Sequence, residues 1–182
     1  MARFFDRIHE LRGIEMIEIC TPISEEVVKQ LKVGDMIYLS GSIFCGRDAV
    51  LPRICDLIYK DDLKAYNIDL KGSVIFHTAV SKAGVGPTSS NKLEIESSFP
   101  ALSKAGVKLH LGKGKIGRNT IEALNEYHAV YAVIPPVTAL LGNNTLEQHV
   151  VAFSELGMEA FYELNVTQYP AIIAAAHNES IY

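Results

Sequence analysis

Residues 107–115 have the sequence VKLHLGKGK, in which a short apolar run leads directly into a glycine-rich turn. The run from Val107 to Leu111 predicts a strand, and the residues from about Thr120 to Tyr127 predict a helix. A strand, a glycine-rich turn and a helix in this order form the repeating unit of α/β proteins. The turn has neither the full phosphate-loop spacing nor Gly-x-Gly-x-x-Gly, so it is weak evidence for a nucleotide site.

Predicted strands and helices alternate in the same way along most of the chain. Apolar runs broken by glycine and proline predict the strands, and capping residues mark where helices begin. We therefore predict an α/β fold with a partly parallel sheet in a single domain. The other predicted strands are 15–20, 36–44, 74–80, 130–134, 150–153, 161–166 and 171–174, and the other predicted helices are 24–31, 49–59, 98–105 and a short turn at 138–141.

The length and composition indicate a single domain without a strongly basic surface. The chain has 182 residues, of which 48% are hydrophobic and 21% charged, and its net charge is −4 with a pI near 5.9. This length suits one substantial core, and the acidic balance argues against a nucleic-acid partner. No stretch approaches the roughly 20 apolar residues that span a bilayer. We expect a cytoplasmic protein with no membrane partner.

Residues 1–16 are predicted to form an amphipathic extension ahead of the main domain. Phe4, Phe5, Ile8 and Leu11 have helical spacing among charged residues, and a glycine ends the pattern. The extension either caps the domain, which we favour, or docks on a partner subunit.

The three cysteines, Cys20, Cys45 and Cys55, are too few and too irregular for a disulfide framework. We expect them to be reduced. Three thiolates would suffice for an iron-sulfur cluster with one open iron, but Cys20 and Cys55 lie in apolar patterns where buried structural thiols are common. We therefore expect no metal on this chain.

Residues 86–92, with the sequence GPTSSNK, predict a binding loop. Gly86 can adopt backbone angles closed to other residues, and the proline after it fixes its own φ. The hydroxyls of Thr88 and Ser89 and the cation of Lys92 suit a compact anion such as a carboxylate. The same composition also fits an ordinary polar turn.

Arg47 and His77 are further candidates. Arg47 lies between a predicted strand and a predicted helix that Asp48 is expected to cap, so its side chain could reach a ligand together with the helix N–H groups. His77 lies inside the predicted strand 74–80, where a histidine is more often a hydrogen-bonded structural residue than a ligand. We therefore treat His77 as secondary.

The loop 86–90 resembles the Gly-Pro-Thr-Thr/Ser-Ser loop of the β subunit, or C-terminal domain, of iron-sulfur hydro-lyases of the class I fumarase and L-tartrate dehydratase family. The similarity covers about residues 17–175, and ordered matches over most of a chain are more specific than one glycine-rich loop. The other stretches that resemble the family, in the same order, are 21–24 (TPIS), 32–35 (KVGD) continuing to 46–49 (GRDA), 112–114 (GKG) and 155–160 (ELGMEA).

The resemblance implies a swivelling β/β/α domain over residues 17–182 and a hydro-lyase activity. By this resemblance, Arg47 of Gly-Arg-Asp and Lys113 of Gly-Lys-Gly are expected to bind the substrate. Thr88 is expected to be the catalytic base. The remaining residues expected to bind substrate are Gly86, Ser89 and Lys92.

The resemblance also implies a second subunit. In the family, the cysteines that hold the 4Fe-4S cluster belong to the other subunit or domain, and the open iron acts as a Lewis acid on the substrate oxygen. The carboxylate that assists the threonine also comes from the partner. We therefore expect an α subunit carrying the cluster, an α2β2 or similar assembly, and a small dicarboxylate substrate.

Several residues depart from the family pattern. Leu51 stands in place of the histidine of Arg-Asp-Ala-Ala-His, Lys92 in place of an arginine, and residues 78–80 in place of a Gly-Pro segment. Fumarate and malate are our first choice of substrate, and tartrate or another 2-hydroxy diacid comes next. Two alternatives stay open: a non-catalytic anion-binding or regulatory module of the same fold, and a free-standing α/β protein that binds a phosphorylated ligand.

Overall fold

A computed structural model describes residues 9–11, 14–81, 84–88, 92–135 and 138–182. In these ranges strands and helices alternate, which confirms the predicted α/β class. Nine described strands form one mixed sheet and two form a separate hairpin. No described helix has the length and apolar character needed to cross a bilayer.

The bounds of the elements within those ranges are as follows. The strands are β1 His9–Leu11, β2 Ile14–Cys20, β3 Met36–Cys45, β4 Val74–Phe76, β5 Thr78–Ser81, β6 Gly84–Thr88, β7 Leu109–Gly112, β8 Val130–Val133, β9 Thr145–Ala152, β10 Phe161–Ala176 and β11 Glu179–Ser180. The helices are α1 Glu25–Gln30, α2 Leu51–Tyr59, α3 Lys92–Lys104, α4 Arg118–Glu126 and α5 Thr138–Asn143, and 3-10 segments cover Leu63–Tyr66 and Ser154–Glu159.

Five strands of the large sheet close into a ring. β3, β4, β7 and β8 are parallel neighbours in that order, and β10 runs antiparallel between β8 and β3. β3 also pairs in parallel with β2, over its first half. The predicted partly parallel sheet is therefore confirmed, and the four parallel strands of the ring all end on the same side.

Side chains alternate between the interior of this ring and its outer faces, as the pleat of a strand requires. Ile43 and Cys45 of β3 belong to the interior core, whereas Phe44 between them packs outward, with its ring stacked on Phe161. Helices α2 and α3 cover this outer face. A third apolar cluster joins α3 and α4 to the outward face of β8, where Tyr131 lies. The ring is thus packed on both sides, which gives the loops at its ends a rigid base.

Helix α3 is longer than predicted. The sequence suggests a start at residues 98–100, whereas the helix begins at Lys92 and contains Pro100. A proline inside a helix removes one backbone hydrogen bond. However, Ile95 and Phe99 bury one face of α3 against the core, so tertiary packing outweighs the local signal.

Strand β10 is continuous where two strands separated by residues 167–170 were predicted. Its register with β3 shifts between Val166 and Tyr169, and Gln168 has a φ of 49°. The backbone N–H of Gln168 donates to the hydroxyl of Ser40, with the two atoms 2.9 Å apart. The polar break in the sequence is therefore an irregularity within one strand and does not end it.

Two other local predictions were wrong. Asp48 does not cap α2, because residues 48–50 form a turn and the N-cap is Val50, which makes no side-chain cap bond. The predicted helical spacing ahead of the domain does not extend to His9–Leu11, which form β1 and pair with β2. The other positions of that pattern, Phe4, Phe5 and Ile8, lie outside the described residues.

Candidate active site

The carboxyl ends of β3, β4 and β7 lie side by side. Backbone hydrogen bonds continue beyond the last residues of these strands: Gly46 N donates to Phe76 O over 3.1 Å, and His77 N donates to Leu111 O over 3.0 Å. The polar residues nearest these strand ends are Arg47 after β3, His77 after β4 and Lys113 after β7. In α/β sheets, ligands commonly bind at this edge.

The β5–β6 hairpin returns the predicted loop to the same edge. The predicted strand 74–80 breaks at His77, and β5 leaves the ring to pair with β6. Thr78, the first residue of β5, lies opposite Thr88, the last residue of β6. The backbone of Thr88 therefore lies across from the residue that follows His77. The side chain of Thr88 and the whole of Ser89 lie outside what the structure describes.

Gly86 is needed for a close approach between the two hairpin strands. Its φ is not in the left-handed region, contrary to the expectation from sequence. A Cβ atom at this position would lie 2.9 Å from the carbonyl oxygen of Ala79. The carbonyl oxygen of Gly86 also accepts a hydrogen bond from Thr78 Oγ1 over 2.7 Å. Gly86 thus shapes the hairpin, and its contact with substrate stays a prediction.

Arg47 faces a carboxylate of its own chain. Its Nε atom lies 3.1 Å from Oε1 of Glu159, and the two side chains are 25% and 38% exposed. Glu159 ends the 3-10 segment that precedes β10. The contact is an ion pair without a hydrogen bond, because Nε of Arg47 is buried and has no hydrogen-bond partner among the described residues. Glu159 lies in the stretch 155–160 that resembles the family, but no local pattern in the sequence indicates that it pairs with Arg47.

Lys113 lies on an exposed turn whose backbone is held by β8. The phenol of Tyr131 donates a hydrogen bond to Gly114 O over 3.1 Å. Burial, followed by the charges of Tyr182 and Glu96, raises the pKa of this phenol, so it remains a donor. A Cβ atom on Gly112 would lie 3.0 Å from the same phenol oxygen. Gly112 therefore leaves room for the ring of Tyr131, and the Tyr131 hydrogen bond holds the turn in place.

Helix α3 brings its first turn toward the Lys113 turn. Lys92 is the first residue of α3, although its side chain lies outside the description. Residues of the next turns of α3 line a small cavity of about 20 Å³ together with Lys113 and His77. A larger open groove of about 830 Å³ is lined by residues such as Lys71 and Lys108, which precede β4 and β7, and by none of the predicted site residues. We therefore take the carboxyl edge as the candidate site.

Two buried histidines lie beneath this edge. Nε2 of His77 is 3.2 Å from Nδ1 of His110, and Nε2 of His110 is 2.9 Å from Oγ of Ser103. Burial lowers the pKa of His77 to about 3. Burial, with His77 alongside, also lowers the pKa of His110 well below its usual range. Both rings are therefore neutral at neutral pH. His110 was not among the predicted site residues, although it lies inside the apolar run 107–111 just as His77 lies inside the predicted strand 74–80.

The cysteines of this chain, all of them described, do not make a cluster site. Cys45 is buried in the interior core and Cys55 is buried on α2, whereas Cys20 is exposed at the end of β2. Burial raises the pKa of Cys55 to about 11 and that of Cys45 further still, which disfavours the thiolates that bind iron. No group of three or more potential metal ligands occurs among the described residues. The cysteines and the other described residues do not fit a cluster, and the place of the cluster on a partner stays a prediction.

Comparison with known proteins identifies the family to which this chain belongs. The profile of the family described as Fumarase C-terminus matches residues 4–182. The chain is 32% identical over 169 residues to the L(+)-tartrate dehydratase subunit beta of Escherichia coli K12, covering 86% of this chain and 81% of that protein. It is 34% identical over 151 residues to the protein of that name in Shigella boydii, covering 77% and 72%. It is 28% identical over 180 residues to a provisionally named class I fumarate hydratase of Geobacillus stearothermophilus, covering 92% of this chain and 34% of that protein.

These matches cover most of the chain, and the matched proteins are hydro-lyases or their subunits. The chain is therefore a hydro-lyase module. The chain belongs to the Fumarase C-terminus family. The family predicted from the ordered motifs is therefore confirmed.

Proposed function

We propose that this chain is the β subunit of an iron-sulfur hydro-lyase that reversibly adds water to a dicarboxylate double bond. Fumarate and malate are the first-choice pair, and tartrate is the next choice. The observation that carries the proposal is the meeting of four separate segments at one edge of the ring, namely the ends of β3, β4 and β7 and the end of the β5–β6 hairpin. These segments hold Arg47, Thr88 and Lys113, which are far apart in sequence.

Arg47 and Lys113 bind the two carboxylates in this proposal. An arginine offers a planar fork that matches a carboxylate, whereas a lysine supplies a compact charge with less geometric demand. The ion pair with Glu159 keeps the Arg47 guanidinium near the carboxyl end of β3. Lys113 is exposed on a fixed turn. Lys92, Gly86 and Ser89 complete the proposed substrate-binding set from the loop and from the start of α3.

Thr88 transfers the proton at carbon. An unaided hydroxyl is a poor base, so this role requires a neighbouring group that accepts its proton. The backbone position of Thr88, opposite Thr78 at the end of the hairpin, supports a place beside the substrate. We propose that the assisting carboxylate comes from the α subunit.

The α subunit also supplies the 4Fe-4S cluster in this proposal. When bound there, the cluster provides the Lewis acid for the substrate hydroxyl. The relatives named as β subunits support the need for a partner, and we propose an α2β2 assembly. The three free cysteines suit a reducing compartment such as the cytoplasm.

The proposal is tested by anaerobic co-expression of this chain with a three-cysteine α subunit from the same genome. We expect a complex that hydrates fumarate, or that dehydrates L-malate or L(+)-tartrate. Substituting Lys113→Ala should raise KM for the active diacid at least tenfold, since a charged hydrogen bond is lost. A complex that forms, carries its cluster and turns over none of the three acids would contradict the proposed activity and favour the non-catalytic module.

A further inference from the structure

Four buried side chains beneath the candidate site form one ordered group, which is defined by His77, His110, Ser103 and Phe99. All four are at most 2% exposed. The two imidazole planes differ by 19°, and the ring of Phe99 stacks on both, with centroids 4.7 Å from His77 and 4.1 Å from His110. The stack fixes the plane in which the two histidines share a hydrogen bond.

The direction of the hydrogen bonds follows from counting protons. Each neutral ring carries one N–H, and the Ser103 hydroxyl has one hydrogen to donate. Among the described contacts, His110 Nε2 is the sole partner of that hydroxyl. If His110 donated to Ser103 instead, the buried Ser103 O–H would have no described acceptor, whereas with Ser103 as the donor one acceptor placed at His77 Nδ1 would satisfy every donor of the group. We therefore assign Ser103 as the donor to His110 Nε2. His110 must then carry its proton on Nδ1 and donate it to His77 Nε2.

Because His77 Nε2 accepts this hydrogen bond, the single proton of the neutral His77 ring lies on Nδ1. That atom is buried and has no hydrogen-bond partner among the described residues. A buried N–H without an acceptor is unfavourable unless a ligand or water supplies one. His77 lines the cavity of about 20 Å³ that it shares with Lys113. This volume admits one oxygen-sized acceptor.

We propose that His77 positions the substrate by donating an Nδ1–H hydrogen bond to one oxygen of the bound dicarboxylate. Ser103, acting through His110, holds His77 in the tautomer that can donate. The inference rests on the proposed function, because it takes the acceptor to be the diacid. It adds an uncharged donor to the cations of Arg47, Lys92 and Lys113. A neutral donor at this depth costs less to desolvate than a further cation would.

The tautomer is tested by nitrogen-15 spectra of the imidazole rings in the full chain. Protonated and bare ring nitrogens have widely separated shifts. We expect both His77 and His110 to be protonated on Nδ1. In the α–β complex, L-malate or L(+)-tartrate, whichever is turned over, should shift the His77 Nδ1 resonance. Protonation of His77 on Nε2, or an unmoved Nδ1 resonance at saturating diacid, would overturn the proposal.

Steady-state kinetics of the α–β complex provide a second test of the role of His77. Ser103→Ala removes the donor that sets the direction of the chain and should raise KM by about two- to tenfold with kcat little changed. Ser98→Ala is the matched control, because Ser98 is equally buried on α3 but donates to the carbonyl oxygen of Ile95. His77→Phe should raise KM by about ten- to a hundredfold. His77→Asn, which keeps a donor near Nδ1, should recover part of that loss.

The outcomes separate the two proposals. Wild-type complex that turns over no diacid contradicts the proposed function. Normal wild-type turnover with the same KM in Ser103→Ala, Ser98→Ala and His77→Phe leaves the proposed function standing and refutes the role of His77. If His77→Phe fails to fold, the Ser103→Ala comparison and the imidazole spectra still decide the question.

Discussion

Nε of Arg47 lies 3.1 Å from Oε1 of Glu159, and this contact ties the loop after β3 to the segment before β10. The carboxylate of Glu159 attracts the guanidinium group by its charge, so Glu159→Gln should loosen the position of Arg47. We expect KM for the diacid to rise about three- to tenfold, with a smaller change in kcat, since one partly exposed pair is lost. The control is Glu155→Gln on the same segment, which breaks the exposed pair with Arg53. Equal KM in both variants would argue against a positioning role for Glu159.

Arg47→Lys keeps the charge at position 47 but removes the planar fork. We expect a loss of roughly 2 to 4 kcal/mol in transition-state binding, because a carboxylate is left poorly paired. Lys92→Arg, which restores the residue usual in the family, should have a much smaller effect. The measurement is kcat/KM of the α–β complex, with folding checked separately by thermal melting. Arg47→Lys with wild-type kcat/KM would remove Arg47 from the binding set.

Thr88→Val keeps the shape of the side chain and removes its hydroxyl. Turnover should fall about 10²- to 10⁴-fold, as is typical for a lost acid-base group, while the melting temperature stays close to that of the wild type. Thr88→Ser retains a hydroxyl and serves as the control. Near-normal turnover of Thr88→Val in a cluster-loaded complex would show that another group transfers the proton.

The isolated chain should bind no stoichiometric iron-sulfur cluster and show no dehydratase activity. Its cysteines are separated on β2, β3 and α2, and two of them are buried with raised thiol pKa values. The measurement is iron and sulfide content after anaerobic reconstitution of the purified chain, together with the absorbance spectrum. One cluster per chain, lost on substitution of Cys20, Cys45 and Cys55, would contradict this expectation.

Acid should destabilise the folded chain through its buried histidines. The unfolded chain protonates them below about pH 6.5, whereas burial lowers the pKa of His77 in the folded chain to about 3 and also lowers that of His110. The unfolded state therefore binds more protons, and the free energy of unfolding falls as pH drops from 6.5 toward 4, by up to about 1.4 kcal/mol per pH unit for each histidine.

Chemical denaturation at pH 7.5 and pH 4.5 measures this loss. The double variant His77→Phe, His110→Leu should lose less stability over the same interval than the wild type does. His128→Asn, which replaces an exposed histidine at a positive φ, is the control and should behave as the wild type. An equal loss in all three proteins would show that the buried pair does not govern the acid response.

Much of the local structure could be predicted because it depends on neighbouring residues. Ser24 caps α1 by accepting a hydrogen bond from Val27 N, as its position ahead of two glutamates indicates. The apolar run before the 112–114 turn forms a strand at the place predicted. Errors arose where a distant partner outweighed the local signal. The burial of Phe99 keeps Pro100 inside α3, and Ser40 stabilises the irregularity that lets β10 continue through Gln168.

The sequence by itself determined the α/β class, the family and the identity of the candidate site residues. Short motifs and hydrophobic periodicity can be read from neighbouring residues, without any information about long-range contacts. Only the tertiary structure decided that Arg47, the backbone of Thr88 and Lys113 share one edge, since that requires the pairing of β3, β4 and β7 and the return of the β5–β6 hairpin. It also decided the partner of Arg47 and the pairing of His77 with His110. Closing the ring brings together residues as distant in sequence as Arg47 and Lys113, and no local pattern in the chain indicates that proximity.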